Sequence, residues 1–149
     1  MKISIGADHG GFGLKEAVKQ SLLAEGHEVI DHGTNSTESV DYPDYGEAVA
    51  WDVVNGVADR GVAICTTGIG ISMAVNKVRG ARGAVCHNED AAEFCRRHNK
   101  ANVICFGQKY DTPYMAAKMT KIFLETEFEG GGRHDRRINK IAKIEGTSD

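Results

Sequence analysis

Apolar positions along the chain follow two spacings, and each spacing predicts a different kind of element. Runs that are apolar at nearly every position are typical of strands buried on both faces, whereas apolar residues three or four positions apart are typical of helices. The runs predict strands at residues 3–5, 29–30, 61–65, 83–86 and 102–106. The helical spacing predicts helices at residues 14–24, 45–55, 69–78, 88–98, 112–126 and 134–144, with a polar loop at residues 34–44.

This alternation of strands and helices indicates an α/β fold, in which a five-stranded parallel sheet is covered by helices on both faces. The 149 residues suffice for a domain with its own core, so we expect residues 1–149 to form a single domain. Three consecutive glycines, at 130–132, separate the last helix from the rest of the chain. We therefore expect this C-terminal helix to pack on a partner subunit.

The overall composition argues against several classes of protein. A net charge of −3 gives no basic excess for nucleic acid, and no apolar stretch approaches the roughly 18 residues that a membrane span needs. The four cysteines form no C-x-x-C pair, the six histidines show no metal-ligand spacing, and the N-terminus is not a signal peptide. We expect a cytoplasmic protein with free thiols and no metal site, which binds neither nucleic acid nor membranes.

The segment around Cys65 is the first candidate site. In a sheet of this kind, ligands bind at the carboxyl ends of the strands, and Cys65 ends the third predicted strand. Gly68 and Gly70 let the backbone approach a ligand at the start of the next helix, where unpaired amides and the helix dipole attract negative charge. The electrostatic field of this helix start also favours the thiolate form of a neighbouring cysteine.

Several interpretations of Cys65 follow from this setting. A cysteine on a buried strand is often only a small hydrophobic residue. A cysteine phosphatase needs an arginine six positions later, and that position is Ile71, which argues against this chemistry. Acyl transfer by a Cys–His pair stays open. Proton abstraction beside a carbonyl needs a base and donors aimed at the enediolate oxygen, and Cys65 with its glycine loop supplies both.

Three other clusters carry candidate chemistry. Asp8 and His9 follow the first strand, where they would face a ligand, although Asp8 could also cap a helix. His98 and Asn99 lie at the end of the helix that follows the fourth strand, a position where asparagine also suits a C-cap. A basic cluster beside the glycines is either a solvated helix face or a clamp for phosphate. Its members are Arg133, His134, Arg136 and Arg137.

Five stretches, taken together and in order, resemble the type B ribose-5-phosphate isomerases, which share their fold with the galactose-6-phosphate isomerase subunits. They are G-A-D-H-G-G-F-G-L-K at 6–15, D-Y-P-D at 41–44, C-T-T-G-I-G-I-S at 65–72, R-H-N at 97–99 and G-G-R-H at 131–134. The resemblance spans nearly the whole chain. It implies a Rossmann-like three-layer sandwich, a homodimer or tetramer with active sites built from both subunits, and no metal or organic cofactor.

The resemblance also implies roles around the cysteine. Cys65 would be the base that moves a proton between C1 and C2 of the sugar. Thr67 and the backbone of Gly68, Ile69 and Gly70 would hold the enediolate.

The remaining candidate residues would bind the sugar and its phosphate. By the same resemblance, Asp8 and His98 would open the furanose ring with Tyr42 nearby, and Asn99 would contact the substrate. His98 and Asn99 would reach in from the other subunit. The phosphate would be bound by His9, Arg133 and Arg137.

Three positions depart from the family pattern, and all lie at or beside the implied site. Thr66 stands where a smaller residue, most often glycine, is usual, and Lys100 stands where an acidic residue is common. The glycine run has three members rather than two. The leading hypothesis is interconversion of ribose 5-phosphate and ribulose 5-phosphate, and the alternative substrate is a tetrose or hexose phosphate.

A rival hypothesis from another class is a non-catalytic module that binds a nucleotide or a sugar phosphate. Asp31 ends the second strand, where a dinucleotide-binding fold places the acid that holds a ribose. The first turn reads G-A-D-H-G-G-F-G, however, and lacks the G-x-G-x-x-G spacing of such folds. The sequence therefore favours the isomerase over this rival.

Overall fold

In the computed structural model, which describes residues 1–146, strands and helices alternate along the chain as predicted. They are β1 (Lys2–Ala7), α1 (Phe12–Ala24), β2 (Glu28–Asp31), α2 (Tyr42–Val54), β3 (Arg60–Cys65), α3 (Ile69–Val75), β4 (Gly83–Val85), α4 (Glu89–Arg97), β5 (Val103–Gly107), α5 (Pro113–Glu125) and α6 (Arg133–Glu145). The strands form one sheet in the order β2-β1-β3-β5-β4, and each neighbouring pair is parallel. The predicted five-stranded parallel sheet is confirmed.

The ends of some elements differ from the prediction. Helix α2 begins at Tyr42 rather than at residue 45, because Pro43 in the first turn lacks only an N–H that would have no helical partner there. Helix α3 ends at Val75, and the chain turns through Val78, which the prediction placed inside the helix. Within residues 1–146, none of the helices is long and apolar enough to cross a bilayer.

The core consists of two layers, one on each face of the sheet. Helices α1, α4 and α5 cover one face and bury the larger cluster, which includes Ile64 and Phe106. Helices α2 and α3 cover the other face, where Cys65 and Cys105 lie. Adjacent residues of β3 thus point to opposite layers, as the two-residue period of a strand requires. All four cysteines are free and buried.

The strand order determines where a ligand can enter. From β1 the chain moves to β2 on one side, and it then crosses to β3 on the other side of β1. The connections therefore diverge between β1 and β3, and this divergence opens a crevice at the carboxyl ends of those two strands. Asp8 directly follows β1, and Cys65 is the last residue of β3.

A buried ion pair ties α1 to the end of β2. The side chain of Lys15 is fully buried, and its Nζ lies 2.9 and 2.8 Å from the two carboxylate oxygens of Asp31. Lys19 and the backbone N–H of Gly33 also donate to this carboxylate. Burial acts to raise the pKa of Asp31, but the hydrogen bonds from Lys15, Gly33 and Lys19 outweigh it and hold this pKa below its ordinary value of 3.8.

We expect Asp31→Asn to lower the free energy of unfolding by about 2 to 3 kcal/mol at neutral pH, because the buried Lys15 then keeps only Glu16, at 2.7 Å, as a charged partner. Glu28→Gln is the control, since the Glu28–Lys2 pair is exposed and contributes below about 0.5 kcal/mol. Denaturant titration measures both effects.

The same pair predicts a pH dependence. Because the pKa of Asp31 is lower in the folded state than in the unfolded state, ionised Asp31 stabilises the fold at any pH above its unfolded-state pKa. This stabilisation is lost as the pH falls through the folded-state pKa of Asp31. The difference between wild type and Asp31→Asn should therefore be complete above pH 3.8 and shrink below it. A difference that stays constant down to full protonation would contradict this account.

Candidate active site

The loop that follows β3 places the thiol of Cys65 against a backbone amide. Cys65 is only 4% exposed, and its Sγ accepts a hydrogen bond from the N–H of Gly68 at 3.1 Å. Gly68 has φ +80°, a left-handed conformation that turns the chain back toward the sulfur and that a glycine adopts without strain. An N–H directed at sulfur is a better partner for a thiolate than for a thiol. The geometry suits a base.

The backbone of this loop rests directly on the end of β5. A Cβ added to Gly107 would lie 2.4 Å from the carbonyl carbon of Thr67, so no side chain fits there. The backbone N–H groups of Gln108 and Lys109 donate to the carbonyls of Cys65 and Thr66, at 3.0 and 2.9 Å. The loop is thus held in one conformation by the neighbouring strand.

The start of α3 completes this part of the site. The hydroxyl of Thr67 accepts a hydrogen bond from the N–H of Ile69 at 3.2 Å. The aromatic ring of Tyr42, in the first turn of α2, lies over Gly70, where an added Cβ would be 2.7 Å from the ring. Because the first amides of a helix lack intrahelical partners, this end of α3 can donate hydrogen bonds to an oxyanion.

Asp8 is held beside Cys65 by a tight turn. It is 5% exposed, and its Oδ1 accepts hydrogen bonds from the backbone N–H groups of Gly10 and Gly11 at 2.9 and 3.1 Å. These bonds lie within the turn before α1, whose N-cap is Gly11, so Asp8 is not the cap of that helix. One carboxylate oxygen is therefore fixed by the turn, and the group is oriented at the mouth of the crevice.

His9 connects the same turn to the loop before α2. Its Nδ1 lies 3.1 Å from the backbone nitrogen of Val40, a separation at which that N–H donates to the ring. The same Nδ1 also lies 3.2 Å from the carbonyl oxygen of Val40, so this ring nitrogen faces the backbone of Val40 and Nε2 makes no part of the contact. The interaction thus joins residues on either side of β2 at one edge of the crevice.

His98 and its neighbours form a second group elsewhere in the molecule. His98 caps α4 and stacks on the ring of His134, with ring centroids 4.1 Å apart and planes inclined by 12°. Asn99, Arg133 and Arg137 are exposed beside this pair along the chain. Burial and the positive charges of His98, Arg133 and Arg137 lower the pKa of His134.

The two groups lie at opposite edges of the sheet. Helix α4 returns to the amino edge, the edge of the sheet formed by the amino ends of the strands. There the Nε–H of Arg82, just before β4, donates a hydrogen bond to the carbonyl of Lys100, just after α4. Residue 107 of β5 pairs with Cys65 at the carboxyl edge, so the length of β5 separates the groups by roughly 15 Å. Within one chain the structure brings together Asp8, His9, Tyr42, Cys65, Thr67, Gly68, Ile69 and Gly70, but it does not bring His98, Asn99, Arg133 or Arg137 to them.

The positions that depart from the family pattern take distinct structural roles. Thr66 packs against the Asp8 turn, since a Cβ added to Gly10 would lie 2.0 Å from its hydroxyl oxygen. Lys100 adopts φ +53°, and its Nζ lies 5.3 Å from the centre of the Phe128 ring. Among the glycines 130–132, Gly131 has φ +88° and donates its N–H to Asp135. Thr66 thus fills space between the two strand ends.

Sequence reasoning placed His134 only in the basic cluster beside the glycines, and it did not consider Glu129. His134 is buried, and Glu129 Oε2 lies 3.8 Å from His98 Nε2. The four-residue spacing of His134 and Ile138, the two buried residues of α6, is a signal that could have identified the inward face of this helix. The position of Glu129 in an irregular segment carries no comparable signal.

The environment of Asp31 argues against the nucleotide-binding alternative. In a dinucleotide-binding fold the corresponding acid must be free to accept hydrogen bonds from ribose hydroxyls. Here its two oxygens accept from Lys15, Lys19 and Gly33. The carboxylate therefore serves the fold.

Comparison with known proteins identifies the family of this chain. The family model described as Ribose/Galactose Isomerase matches residues 3–141. The chain belongs to this family. Ribose-5-phosphate isomerase B of Escherichia coli is 43% identical over 144 residues, which cover 97% of this chain and 96% of the relative.

Solved structures of family members superpose closely on this chain. A structure of Clostridium thermocellum ribose-5-phosphate isomerase B has a TM-score of 0.96 at 49% identity, with 98% of each chain covered. The ribose-5-phosphate isomerase B of Mycoplasma genitalium, solved with bound ribulose-5-phosphate, has a TM-score of 0.91 at 39% identity and covers 99% of this chain and 97% of its own. The resemblance noted from the sequence motifs is confirmed.

The contact between Gly107 and Thr67 predicts that Gly107→Ala lowers the free energy of unfolding by about 2 kcal/mol, because backbone rather than a flexible side chain must move. Gly13→Ala is the matched control, since its Cβ would make only an ordinary 3.4 Å contact inside a helix and should be neutral or slightly stabilising. Denaturant unfolding compares the two, and equal stability of both variants would show that the loop is not tightly held.

Proposed function

We propose that this chain is an aldose–ketose isomerase that interconverts ribose 5-phosphate and ribulose 5-phosphate. The observation that carries the proposal is the buried thiol of Cys65, which accepts a hydrogen bond from the N–H of Gly68 at the start of α3. Membership of the family and the relatives named ribose-5-phosphate isomerase B support the choice of substrate. The cysteines, all free and buried, support a reducing compartment such as the cytoplasm.

In the proposed reaction Cys65 acts as the base. Its thiolate removes the proton from C2 of the open-chain aldose, and the electron pair moves toward the C1 carbonyl oxygen to form an enediolate. The thiol then returns the proton to C1, while the hydroxyl proton of O2 passes to O1, and C2 becomes the carbonyl carbon of the ketose. Thr67 and the amides of Gly68, Ile69 and Gly70 stabilise the negative oxygen.

Ring opening precedes this proton transfer. We assign it to Asp8 and His98, because one carboxylate oxygen of Asp8 is held by the turn and the other can exchange a proton with the ring oxygen or hydroxyl. Tyr42 lies over Gly70 at the same place and closes one side of the crevice. Phosphate binding is assigned to His9, Arg133 and Arg137, and substrate contact to Asn99.

These assignments require two copies of the chain. His98, Asn99, Arg133 and Arg137 lie at the amino edge of the sheet, too far from Cys65 to share its substrate. A homodimer, or a tetramer built from it, places the amino edge of one subunit at the carboxyl edge of the other. Packing of α6 on the partner fits the small buried part of this helix, which is limited to His134 and Ile138.

A second candidate substrate is a tetrose or hexose phosphate. The observation that favours it is Thr66, whose side chain stands in the loop next to Cys65 and against Gly10. Measuring kcat/KM for tetrose, pentose and hexose phosphates distinguishes this candidate from ribose 5-phosphate. A pentose phosphate should have the highest kcat/KM.

We expect Cys65→Ala to lower kcat for ribose 5-phosphate by at least about a hundredfold, because the proton then has no base. Cys105→Ala is the control. Cys105 is fully buried in the same layer, and burial raises the pKa of its thiol, so its removal should cost stability rather than turnover. A fully active Cys65→Ala protein with a native circular dichroism spectrum would show that another group is the base.

Mixing two inactive variants tests the composite site. Cys65→Ala and His98→Ala homodimers, allowed to exchange subunits, should form heterodimers in which one site carries both defects and the other carries none. Random exchange would restore about one quarter of wild-type activity. If native mass spectrometry shows heterodimers but activity does not return, each site belongs to a single chain.

A further inference from the structure

The amino edge of the sheet carries a cluster of metal-ligand side chains that the proposed reaction does not use as a unit. A ring nitrogen of His98, a ring nitrogen of His134 and a carboxylate oxygen of Glu129 all lie within 4.8 Å of one another. His98 Nε2 and Glu129 Oε2 are 3.8 Å apart. Glu129 lies 31 positions after His98, and His134 lies five positions after Glu129, so no spacing in the sequence indicated this cluster.

His134 provides a second, independent observation. Its side chain is more than nine-tenths buried, and its Nε2 has no hydrogen-bond partner among residues 1–146. A buried nitrogen without a partner is costly, and a bound group would remove this cost.

The chemistry of the cluster selects the kind of ligand. Two imidazoles and one carboxylate are donors that suit zinc and similar divalent cations, and three protein ligands leave one position open. Metal–ligand distances of about 2.0 to 2.2 Å place donors roughly 3.4 Å apart, so the cluster must close by about 1 Å. The rings must also leave their parallel stack, because one ion cannot lie in both planes.

The exposure of the side chains makes this closure feasible. His98 and Glu129 have side chains that are 35% and 61% exposed, so both can rotate toward the ion, whereas His134 is held in place. The neighbouring Arg133 and Arg137 oppose a cation, which lowers the affinity below that of a structural zinc site. A metal bound here would therefore be exchangeable.

We propose that His98, Glu129 and His134 bind a divalent transition-metal cation such as Zn²⁺, and that the bound ion holds His98 away from the sugar phosphate and inhibits the enzyme. The binding itself is independent of the isomerase assignment, whereas the inhibition rests on the proposed function. The ion is a reversible inhibitor and takes no part in the proton transfer. This site differs from the sequence-based expectation of no metal site.

Calorimetric titration with Zn²⁺ tests the binding. Metal-free Cys65→Ala protein is the parent, so that the reactive thiol contributes nothing. We expect the parent to bind one Zn²⁺ per chain and no Mg²⁺, which prefers oxygen ligands. Adding Glu129→Gln or His134→Ala to the parent should lower the affinity for Zn²⁺ by about tenfold or more. Glu129 is exposed, so its variant keeps the proposal testable if His134→Ala fails to fold.

His32→Ala is the matched control, because His32 also pairs with a carboxylate, Asp52, at 2.6 Å but lies outside the cluster. It should bind Zn²⁺ like the parent. If Glu129→Gln binds Zn²⁺ as tightly as the parent, or if Mg²⁺ binds equally well, the proposed site is wrong.

Turnover measurements with Cys65 intact test the inhibition. Micromolar Zn²⁺ should inhibit the wild-type protein, and EDTA should reverse this inhibition. The Glu129→Gln variant should need about tenfold more Zn²⁺ for the same inhibition, while its turnover without metal stays unchanged. Zinc binding without inhibition would overturn the regulatory part alone. A protein without isomerase activity that still binds Zn²⁺ would refute the proposed function and leave the metal site intact.

Discussion

The close contact between Gly107 and the backbone of Thr67 determines the shape of the loop that carries Cys65. Without a side chain at position 107, the loop reaches the end of β5 and accepts backbone hydrogen bonds from Gln108 and Lys109, which follow that strand. Held there, the chain can turn at Gly68 and direct an N–H at the sulfur. The chemical properties of the thiol thus follow from the way one strand end packs on the loop after another.

The parallel sheet imposes a second constraint on the site. Every helix that follows a strand must return to the amino edge, so residues at the end of such a helix lie far from the strand ends that hold the ligand. His98 and Asn99 lie at the end of α4, and His134 stacks on His98 from α6. The proposed site, which uses both groups, therefore requires two copies of the chain. The same separation leaves His98 free to pair with Glu129.

Much of the architecture could be predicted from the sequence because strands buried on both faces are apolar throughout. The strand at residues 61–65 is an example, since its residues face two different cores and all are buried. The start of α2 could not be predicted in this way, because its first turn contains exposed residues and Pro43 and therefore lacks an apolar face. The length of α3 was overestimated for the converse reason, since Val78 continues the helical spacing but packs from a turn.

The sequence by itself determined the parallel α/β sheet, the place of Cys65 at a strand end beside a glycine loop, and the motifs that identify the family. These features depend on residues close together in the chain, whose spacing reflects the local period of a strand, a turn or a helix. Only the tertiary structure decided that Arg133 and Arg137 lie away from Cys65, that Gly107 must lack a side chain, and that Glu129 and His134 meet His98. Such contacts join residues far apart in the chain, and they depend on how the sheet and its connections bring those residues together.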